Sequence, residues 1–197
     1  MLSQNNHKAV ISSVGDTIVL KKLIISAKAG NNEAFEELYT KLYTPLYRYT
    51  FSKCQDIDLT KDICQQAFLN FYKALPYYEP EKTPLAYLFT IAKRLLINHK
   101  EKKTFIPFDE TLLETYKDDS PTIIDEAHTR LLAESINNYL PHLTDIEQEV
   151  IRLYFYAELS YKEISDTVER EEVYVRKIKE RALKKLRILT QHLHEGK

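Results

Sequence analysis

The sequence predicts an all-α protein that consists of two small helical domains joined by a flexible acidic linker. Along most of the 197 residues, apolar side chains recur every three or four positions, which is the spacing of one helix face. Only three glycines are present, so tight β-turns and glycine-rich phosphate loops are not expected. The periodicity lapses near the middle of the chain, where acidic residues and prolines accumulate. The chain is therefore expected to fold as two helical halves.

Two helices are predicted at the start of the first half. Asp16 can cap the first helix, and Gly30 stands where a helix commonly ends in the left-handed conformation. The second helix is predicted from Glu33 to about Cys54, with a kink or break at Pro45, because proline lacks the N–H that a helix interior needs. The predicted apolar faces comprise Leu20, Leu23, Ile24 and Ala27 in the first helix, and Phe35, Leu38, Leu42, Leu46 and Tyr49 in the second.

Two further helices are predicted to complete the first half. The third spans about 58–75 and stops at Pro76. Thr83 followed by Pro84 is a typical start for the fourth helix, since proline suits the first helical position. The predicted apolar faces comprise Ile63, Ala67, Phe71 and Leu75 in the third helix, and Leu85, Leu88, Ala92, Leu95 and Leu96 in the fourth.

A linker is predicted between the two halves. The segment 104–120 has no helical period, contains Pro107 and precedes Pro121. The expected organisation is an N-terminal extension of residues 1–19, a first domain of 20–103, a linker of 104–124, a second domain of 125–190 and a tail of 191–197.

The second half is predicted to contain a helix-turn-helix. After a helix near 125–139, T-D-I-E at 144–147 and S-Y-K-E at 160–163 have the form of capping boxes, in which two side chains satisfy free N–H groups at a helix start. A short helix, a tight connection and a long basic helix in this order are typical of the motif. The residues expected to face inward are Ile146, Val150, Leu153 and Tyr154, then Ile164 and Val168, then Val175, Ile178, Ala182, Leu186 and Leu189.

Composition argues against several other classes of protein. No apolar stretch of about 18 residues is present, and the first twenty residues lack the pattern of a signal peptide, so we expect a cytoplasmic protein without direct membrane insertion. Cys54 and Cys64 are interpreted as reduced helix residues. The six histidines have no metal-binding spacing, and no catalytic motif occurs, so we expect no enzyme activity, no metal and no cofactor.

The charge distribution favours a nucleic-acid-binding protein although the net charge is only −1. Residues 93–103 carry five Lys or Arg against one Glu, and 173–190 carry seven against one. Between these segments, 104–130 carries seven acidic residues against two basic ones. Two basic helices separated by an acidic connector would give this near-zero net charge, because their charges cancel in the sum.

The segment D-I-C-Q-Q-A-F at 62–68 resembles the core-binding helix of the extracytoplasmic-function group of bacterial sigma factors, usually D-I-x-Q-E-x-F. Over roughly residues 20–190, four segments resemble this family in the family's order. The resemblance implies that the helix docks on a coiled coil of the largest RNA polymerase subunit. Its implied contacts are Asp62, Gln65, Gln66 and Asn70. An ordinary amphipathic helix is the alternative explanation of this segment.

The second segment, at 84–103, is similar to the family's W-L-x-x-I-A-R-N-x-x-x-D-x-x-R-R helix, with Tyr87, Arg94 and Asn98 at positions where Trp, Asn and Asp are common. The resemblance implies recognition of the promoter −10 element. Cations can bind the phosphates while aromatic rings stack on unpaired bases, each stack being worth about 1–3 kcal/mol. The implied residues are Tyr77, Tyr78 and Tyr87 for stacking, and Lys93, Arg94, Asn98, His99, Lys100, Lys102 and Lys103 for the nucleic acid. For any single tyrosine, packing is the alternative role.

The remaining two segments resemble the family's linker and its −35 domain. The linker resembles a segment that is threaded through the polymerase, although a solvated tether explains it equally well. The segment 140–187 resembles the −35 domain, whose last helix would enter the major groove. Glu169 stands where a glycine is common in the turn, and E-R-E-E at 169–172 is unusually acidic for a DNA-facing loop. The implied contacts are Glu172, Tyr174, Arg176, Lys177 and Arg181.

The resemblance therefore implies a sigma factor that binds core RNA polymerase and promoter DNA, with an anti-sigma factor as a further expected partner. The alternative is a helix-turn-helix regulator that binds duplex DNA without polymerase, through a dimer on a palindromic site. A helical scaffold is a third possibility, but it leaves the two basic helices unexplained.

Overall fold

The computed structural model describes residues 14–79, 83–105 and 137–194, and every element within these ranges is helical. The all-α prediction is confirmed. The predicted helix near 125–139 lies almost entirely outside the described residues, as do most of the linker and the two chain ends. The first half contains α1 Val14–Lys28, α2 Asn32–Cys54, α3 Ile57–Ala74, a 3-10 turn Leu75–Tyr77 and α4 Pro84–Phe105. The second half contains a 3-10 turn Leu140–His142, α5 Asp145–Ile151, a π-helical turn Arg152–Tyr156, α6 Tyr161–Val168 and α7 Glu172–His194.

Local capping explains where the helices of the first half begin and end. Gly30 has φ of +90° after α1, as predicted for the left-handed end of a helix. Asn31 caps α2 by accepting a hydrogen bond from the N–H of Ala34 at 3.2 Å, and Asp56 caps α3 by accepting from the N–H of Leu59 at 3.0 Å. The two helices begin at Asn32 and Ile57, one residue before the starts predicted from the sequence.

Of the kink or break predicted at Pro45, the break does not occur, because α2 runs through this residue. Leu42 and Leu46, on either side of the proline, are 3% and 0% exposed. Their burial against the neighbouring helices keeps the chain helical despite the missing N–H of proline.

The core of the first half lies between α2, α3 and α4, and α1 packs against α2. Its completely buried members are large apolar side chains, and the helix faces agree with the predicted stripes. They include Leu38, Leu46, Phe71, Leu88 and Phe89, each 0–1% exposed.

The second half is divided between two apolar clusters. A small cluster contains Leu140, Leu143, Ile151 and Ala182. The other buried apolar side chains of this half, among them Val150, Leu153, Tyr156, Ile164 and Val175, belong to the cluster that continues from the first half. The π-helical turn contacts α2, and α6 contacts α4. The two halves are therefore packed together in a compact arrangement.

One inward-facing residue of α5 was predicted wrongly. Ile146 is 37% exposed, whereas Glu147 is only 6% exposed. Glu147 shares a helix face with the buried Val150 and Ile151. Its carboxylate accepts hydrogen bonds from the N–H of Thr144 at 3.0 Å and from Lys185 at 2.8 Å. The burial of this carboxylate is tolerated because it is paired and completes the predicted capping box.

Candidate polymerase- and DNA-binding surfaces

The outer face of α3 carries the residues predicted to bind polymerase. Asp62, Gln65 and Gln66 are exposed, and Asn70 is half-buried. The side-chain amide of Gln66 donates a hydrogen bond to the Oδ1 atom of Asn70 at 3.0 Å. Ile63, Ala67 and Phe71 face the core from the opposite side of the helix. The four candidate side chains thus lie on one side of α3, away from the residues that pack in the core.

An apolar residue in the middle of this face was missed from the sequence. Leu69 is 48% exposed and lies one helical turn after Gln65 and Gln66. Nearby, Tyr72 is 49% exposed and packs edge-on against Phe35 at 4.8 Å between ring centroids. The sequence could have indicated the exposure of Leu69, because this residue falls outside the apolar stripe formed by Ile63, Ala67 and Phe71.

The three tyrosines predicted to stack on bases have different environments. Tyr77 is 88% exposed, whereas Tyr78 is only 6% exposed. The ring of Tyr78 packs against Phe71 at 5.5 Å and against the half-buried Tyr87 at 5.2 Å, and burial raises the pKa of its hydroxyl to about 12. In this arrangement Tyr78 is a packing residue and its ring is not accessible to a base.

The basic face of α4 carries the other candidates for −10 recognition. Lys93, Arg94 and Asn98 are exposed, and His99 is half-buried. Leu88, Phe89, Ala92 and Leu96 face the core from the same helix. Lys100, Lys102 and Lys103 follow on the last turns of α4, but their side chains lie outside the described residues.

The helix-turn-helix of the second half is built by α6 and α7. Ser160 starts α6 with the predicted capping box: the Ser160 N–H donates to the carboxylate of Glu163 at 2.8 Å, and the Glu163 N–H donates to Ser160 Oγ at 3.3 Å. Glu169 ends α6 with φ of +55°, in the left-handed region that favours glycine. The tight turn between α6 and α7 therefore forms although glutamate is less favourable than glycine in this conformation.

The first turns of α7 present the predicted −35 residues to solvent. Tyr174, Arg176, Lys177 and Arg181 are exposed, and Glu172 is half-buried. Val175 and Ala182, both 0% exposed, anchor the opposite face of the helix. Arg176 donates to Glu172 Oε1 at 2.5 Å, and its guanidinium carbon lies 4.1 Å from the ring centroid of Tyr161.

A buried charged contact between the two halves was not predicted. Glu149 of α5 accepts hydrogen bonds from Tyr49 Oη and Lys53 Nζ of α2, each at 2.6 Å. Arg152 donates to the backbone carbonyl of Ser52, and Arg48 pairs with Glu158 at 2.8 Å. Because each half supplies one partner, no local pattern in the sequence could have indicated these pairs.

The protonation states within this contact follow from burial and pairing. Burial alone would raise the pKa of Glu149, but the attraction of Lys53 and hydrogen bonds from Lys53 and Tyr49 outweigh it and lower the pKa. Burial lowers the pKa of Lys53, and Glu149 only partly offsets this. Lys93 also contributes to the lowered pKa of Glu149, so the second half lies near one of the −10 candidates.

The described ranges contain neither a candidate metal site nor a helix that could span a membrane. No group of three or more His, Cys, Asp or Glu side chains there could hold a metal ion. Among the helices that the structure describes, none has the length and apolar character needed to cross a membrane. Cys54 and Cys64 are free, and burial raises the pKa of the Cys64 thiol to about 12.

Comparison with known proteins identifies the same two halves. The family model of Sigma-70 region 2 matches residues 38–106, and that of Sigma-70, region 4 matches residues 139–187. The chain is 26% identical over 156 residues to the ECF RNA polymerase sigma factor SigM of Bacillus subtilis, covering 78% of this chain and 93% of SigM. It is also 26% identical over 141 residues to the RNA polymerase sigma factor YlaC of the same organism, covering 69% and 80%.

Two solved structures share the fold. CnrH, in complex with the cytosolic domain of CnrY, aligns with a TM-score of 0.61 at 22% identity, covering 88% of this chain and 98% of that chain. The sigma factor RpoE of Bartonella quintana, in complex with the anti-sigma factor NepR, aligns with a TM-score of 0.54 at 15% identity, covering 80% and 96%.

Proposed function

The chain belongs to the extracytoplasmic-function group of the sigma-70 family of RNA polymerase sigma factors, and from this premise we propose which of its surfaces bind polymerase and promoter DNA. As a sigma factor it is a transcription initiation factor that binds core RNA polymerase and recognises the −10 and −35 elements. This membership decides against the alternative of a regulator that acts without polymerase.

The outer face of α3 is the proposed polymerase-binding surface, formed by Asp62, Gln65, Gln66, Leu69 and Asn70. The observation that supports it best is the exposure of Leu69 at 48% among these polar side chains. Leu69 and Tyr72, which is 49% exposed and lies one helical turn later, together form an exposed apolar patch beside these polar side chains. An exposed apolar patch with a polar rim is typical of a protein interface, where burial of the apolar groups contributes affinity and the polar groups contribute specificity.

The surface proposed for the −10 element runs from Tyr77 along α4. Tyr77 is proposed as the main stacking residue because it is 88% exposed, and Tyr78 is left out because it is buried. The other proposed residues are Tyr87, Lys93, Arg94, Asn98, His99, Lys100, Lys102 and Lys103. Polymerase contacts would help to meet the cost of unstacking a base, which is a few kcal/mol, so weak DNA binding by the free chain is expected.

The surface proposed for the −35 element is the exposed face at the start of α7. Glu172, Tyr174, Arg176, Lys177 and Arg181 lie on or beside this face, with Val175 and Ala182 packed behind it. A helix in this position of a helix-turn-helix contacts base edges in the major groove with its first turns. The later basic residues of α7 would then follow the DNA backbone.

We further propose an anti-sigma factor as a regulatory partner and the cytoplasm as the place of action. The structure of RpoE with the anti-sigma factor NepR supports a partner of this class. Core RNA polymerase and promoter DNA are both cytoplasmic in bacteria, which supports the location.

Gel filtration with bacterial core RNA polymerase tests the polymerase surface. Wild type is expected to co-elute with the polymerase, and a variant with Asp62→Lys, Gln65→Ala and Gln66→Ala is expected to elute alone. Glu37→Lys is a matched control, because it reverses an exposed acid on α2 outside the proposed surface. Co-elution of the triple variant at the wild-type level would contradict the assignment of this surface to α3.

A further inference from the structure

Arg176 on the recognition helix is held in place from two sides. Its guanidinium carbon lies 4.1 Å from the ring centroid of Tyr161, within the range of a cation–π contact. One of its nitrogens donates to Glu172 Oε1 at 2.5 Å, one helical turn earlier on α7. The side chain is nevertheless 53% exposed. Arg176 is thus both accessible from solvent and restricted in orientation.

The aromatic ring beneath Arg176 belongs to α6 and is supported both by the π-helical turn and by Lys179 of the recognition helix α7. Tyr161 lies in the first turn of α6, which the Ser160–Glu163 capping box orients. Its ring packs against Tyr154 of the π-helical turn at 5.3 Å between centroids. Lys179 lies 4.1 Å from the Tyr154 ring and 4.8 Å from the Tyr161 ring, and donates to the Tyr161 hydroxyl. These contacts make Tyr161 a rigid platform.

We propose that Tyr161 and Glu172 are positioning residues that orient the Arg176 guanidinium to read a guanine in the −35 element, an inference that rests on the proposed function of α7. A guanidinium is planar, and its fork of N–H groups matches the O6 and N7 acceptors of guanine. Glu172 occupies one part of this fork and Tyr161 sets its plane. The remaining N–H groups are then presented for a bidentate contact.

Glu172 gives this arrangement a second recognition element. A carboxylate can accept a hydrogen bond from the amino group of cytosine, and Glu172 is half-buried at the start of α7. The pairing with Arg176 neutralises the charge that would otherwise repel phosphates. This accounts for an acid at the start of a DNA-facing helix, and it favours a guanine with a neighbouring cytosine.

The neighbouring cation Lys177 lacks a comparable support. Its Nζ atom lies 5.8 Å from the ring centroid of Tyr174, which is itself 54% exposed and belongs to the same helix. An ammonium group is also a point charge without the planar fork of arginine. Lys177 is therefore expected to contact phosphate, and Arg176 is expected to determine base preference.

Selection of promoters with the complete initiation complex tests this inference. The full chain is assembled with core RNA polymerase on a promoter library randomised over the −35 region, and the retained DNA is sequenced. Wild type is expected to enrich guanine at one position about tenfold or more, the range of a bidentate contact. Arg176→Ala and Arg176→Lys are expected to lose this preference at that position and keep the preferences elsewhere.

Variants of the platform separate positioning from folding. Tyr161→Leu removes the ring and is expected to lower the guanine preference about two- to tenfold, because more side-chain freedom must be lost on binding. Tyr161→Phe keeps the ring and is expected to retain the preference. Glu172→Gln is expected to lower it. Lys162→Ala, an exposed cation next to Tyr161, is the control and should select the same DNA as wild type.

The possible outcomes distinguish a failure of this inference from a failure of the function proposed for α7. Equal guanine preference in wild type, Tyr161→Leu and Glu172→Gln would overturn the positioning role, and a preference retained in Arg176→Lys would overturn base reading by the fork. If Tyr161→Leu fails to fold in thermal melting, Arg176→Lys and Glu172→Gln decide. If wild type selects no −35 sequence although it binds polymerase, the function proposed for α7 itself is wrong.

Discussion

The first half of the chain and its contact with the second half use different kinds of interaction. The interior between α2, α3 and α4 is apolar and completely buried, with Leu46 and Phe71 at 0% exposure. The contact between the halves combines an apolar cluster with the buried group of Tyr49, Lys53 and Glu149. Charged partners can return to water when surfaces separate, whereas apolar side chains cannot do so without a large loss of free energy.

This difference bears on how a sigma factor works. The two promoter elements are separate sites on DNA, and the compact arrangement places the second half near Lys93 on the proposed −10 surface. A contact held partly by ion pairs and hydrogen bonds can be exchanged for contacts with polymerase and phosphates. We therefore expect the first half to remain folded while the contact between the halves opens.

The largest expected effect is that of truncating the core of the first half. Leu46→Ala is expected to lower the free energy of unfolding by about 2–5 kcal/mol, the range for a buried leucine. Leu140→Ala, which is also 0% exposed but lies in the small cluster of the second half, is expected near the lower end of that range because its surroundings can relax more easily. Urea denaturation measures both, and a greater loss for Leu140→Ala would contradict the comparison.

The next effect concerns the contact between the halves. Glu149→Ala leaves Lys53 and the hydroxyl of Tyr49 without their shared acceptor, and is expected to cost about 1–3 kcal/mol and to separate the halves. Small-angle X-ray scattering of the full chain should then give a larger radius of gyration than for wild type. Glu158→Ala removes the more exposed partner of Arg48 and is the control, with an expected cost below about 1 kcal/mol. An unchanged radius for Glu149→Ala would argue against the role of this contact.

Acid should weaken the same contact and also the pair of Glu147 with Lys185 inside the second half. The pKa of Glu149 and that of Glu147 are both lowered in the folded chain relative to the ordinary value of 4.5. A lowered pKa means that the unfolded chain binds protons first, so these groups stabilise the fold above about pH 4.5 and lose that contribution as the pH falls through the folded pKa. Urea midpoints measured between pH 7 and pH 3 should decrease, and Glu149→Gln should show a smaller decrease than wild type. An equal decrease in both proteins would mean that Glu149 does not contribute.

The sequence predicted best those features that depend on interactions between residues close together in the chain. Helical stripes, the capping boxes at Thr144 and Ser160 and the basic face of α7 all depend on residues a few positions apart. Apart from Ile146, the structure has them where they were predicted. The pairing of Glu149 with Lys53 joins residues 96 positions apart, so no spacing rule could indicate it. The continuity of α2 through Pro45 and the burial of Tyr78 likewise depend on neighbours supplied by other helices. The exposure of Leu69 is an intermediate case, since its position outside the apolar stripe was visible in the sequence.

The smallest expected effect on the free energy of unfolding comes from relieving backbone strain, which is the same at the end of a helix in each half. Gln55 after α2 and Glu169 after α6 both have φ of +55°, a conformation that costs most residues about 1–2 kcal/mol and glycine almost nothing. Because glycine also gains freedom in the unfolded chain, Gln55→Gly and Glu169→Gly are each expected to stabilise the fold by about 0.5 kcal/mol.

The two substitutions should differ in their effect on DNA. Glu169→Gly also removes an acid from the loop that precedes the recognition helix, so a −35 duplex is expected to bind the polymerase complex more tightly at low salt. Glu169→Gln removes the same charge and keeps a side chain at φ of +55°, so it should reproduce the gain in DNA binding without the gain in stability. Gln55→Gly should show the reverse, a gain in stability with unchanged DNA binding. If Glu169→Gln leaves DNA binding unchanged while Glu169→Gly strengthens it, the turn geometry and not the charge limits DNA recognition by the second half.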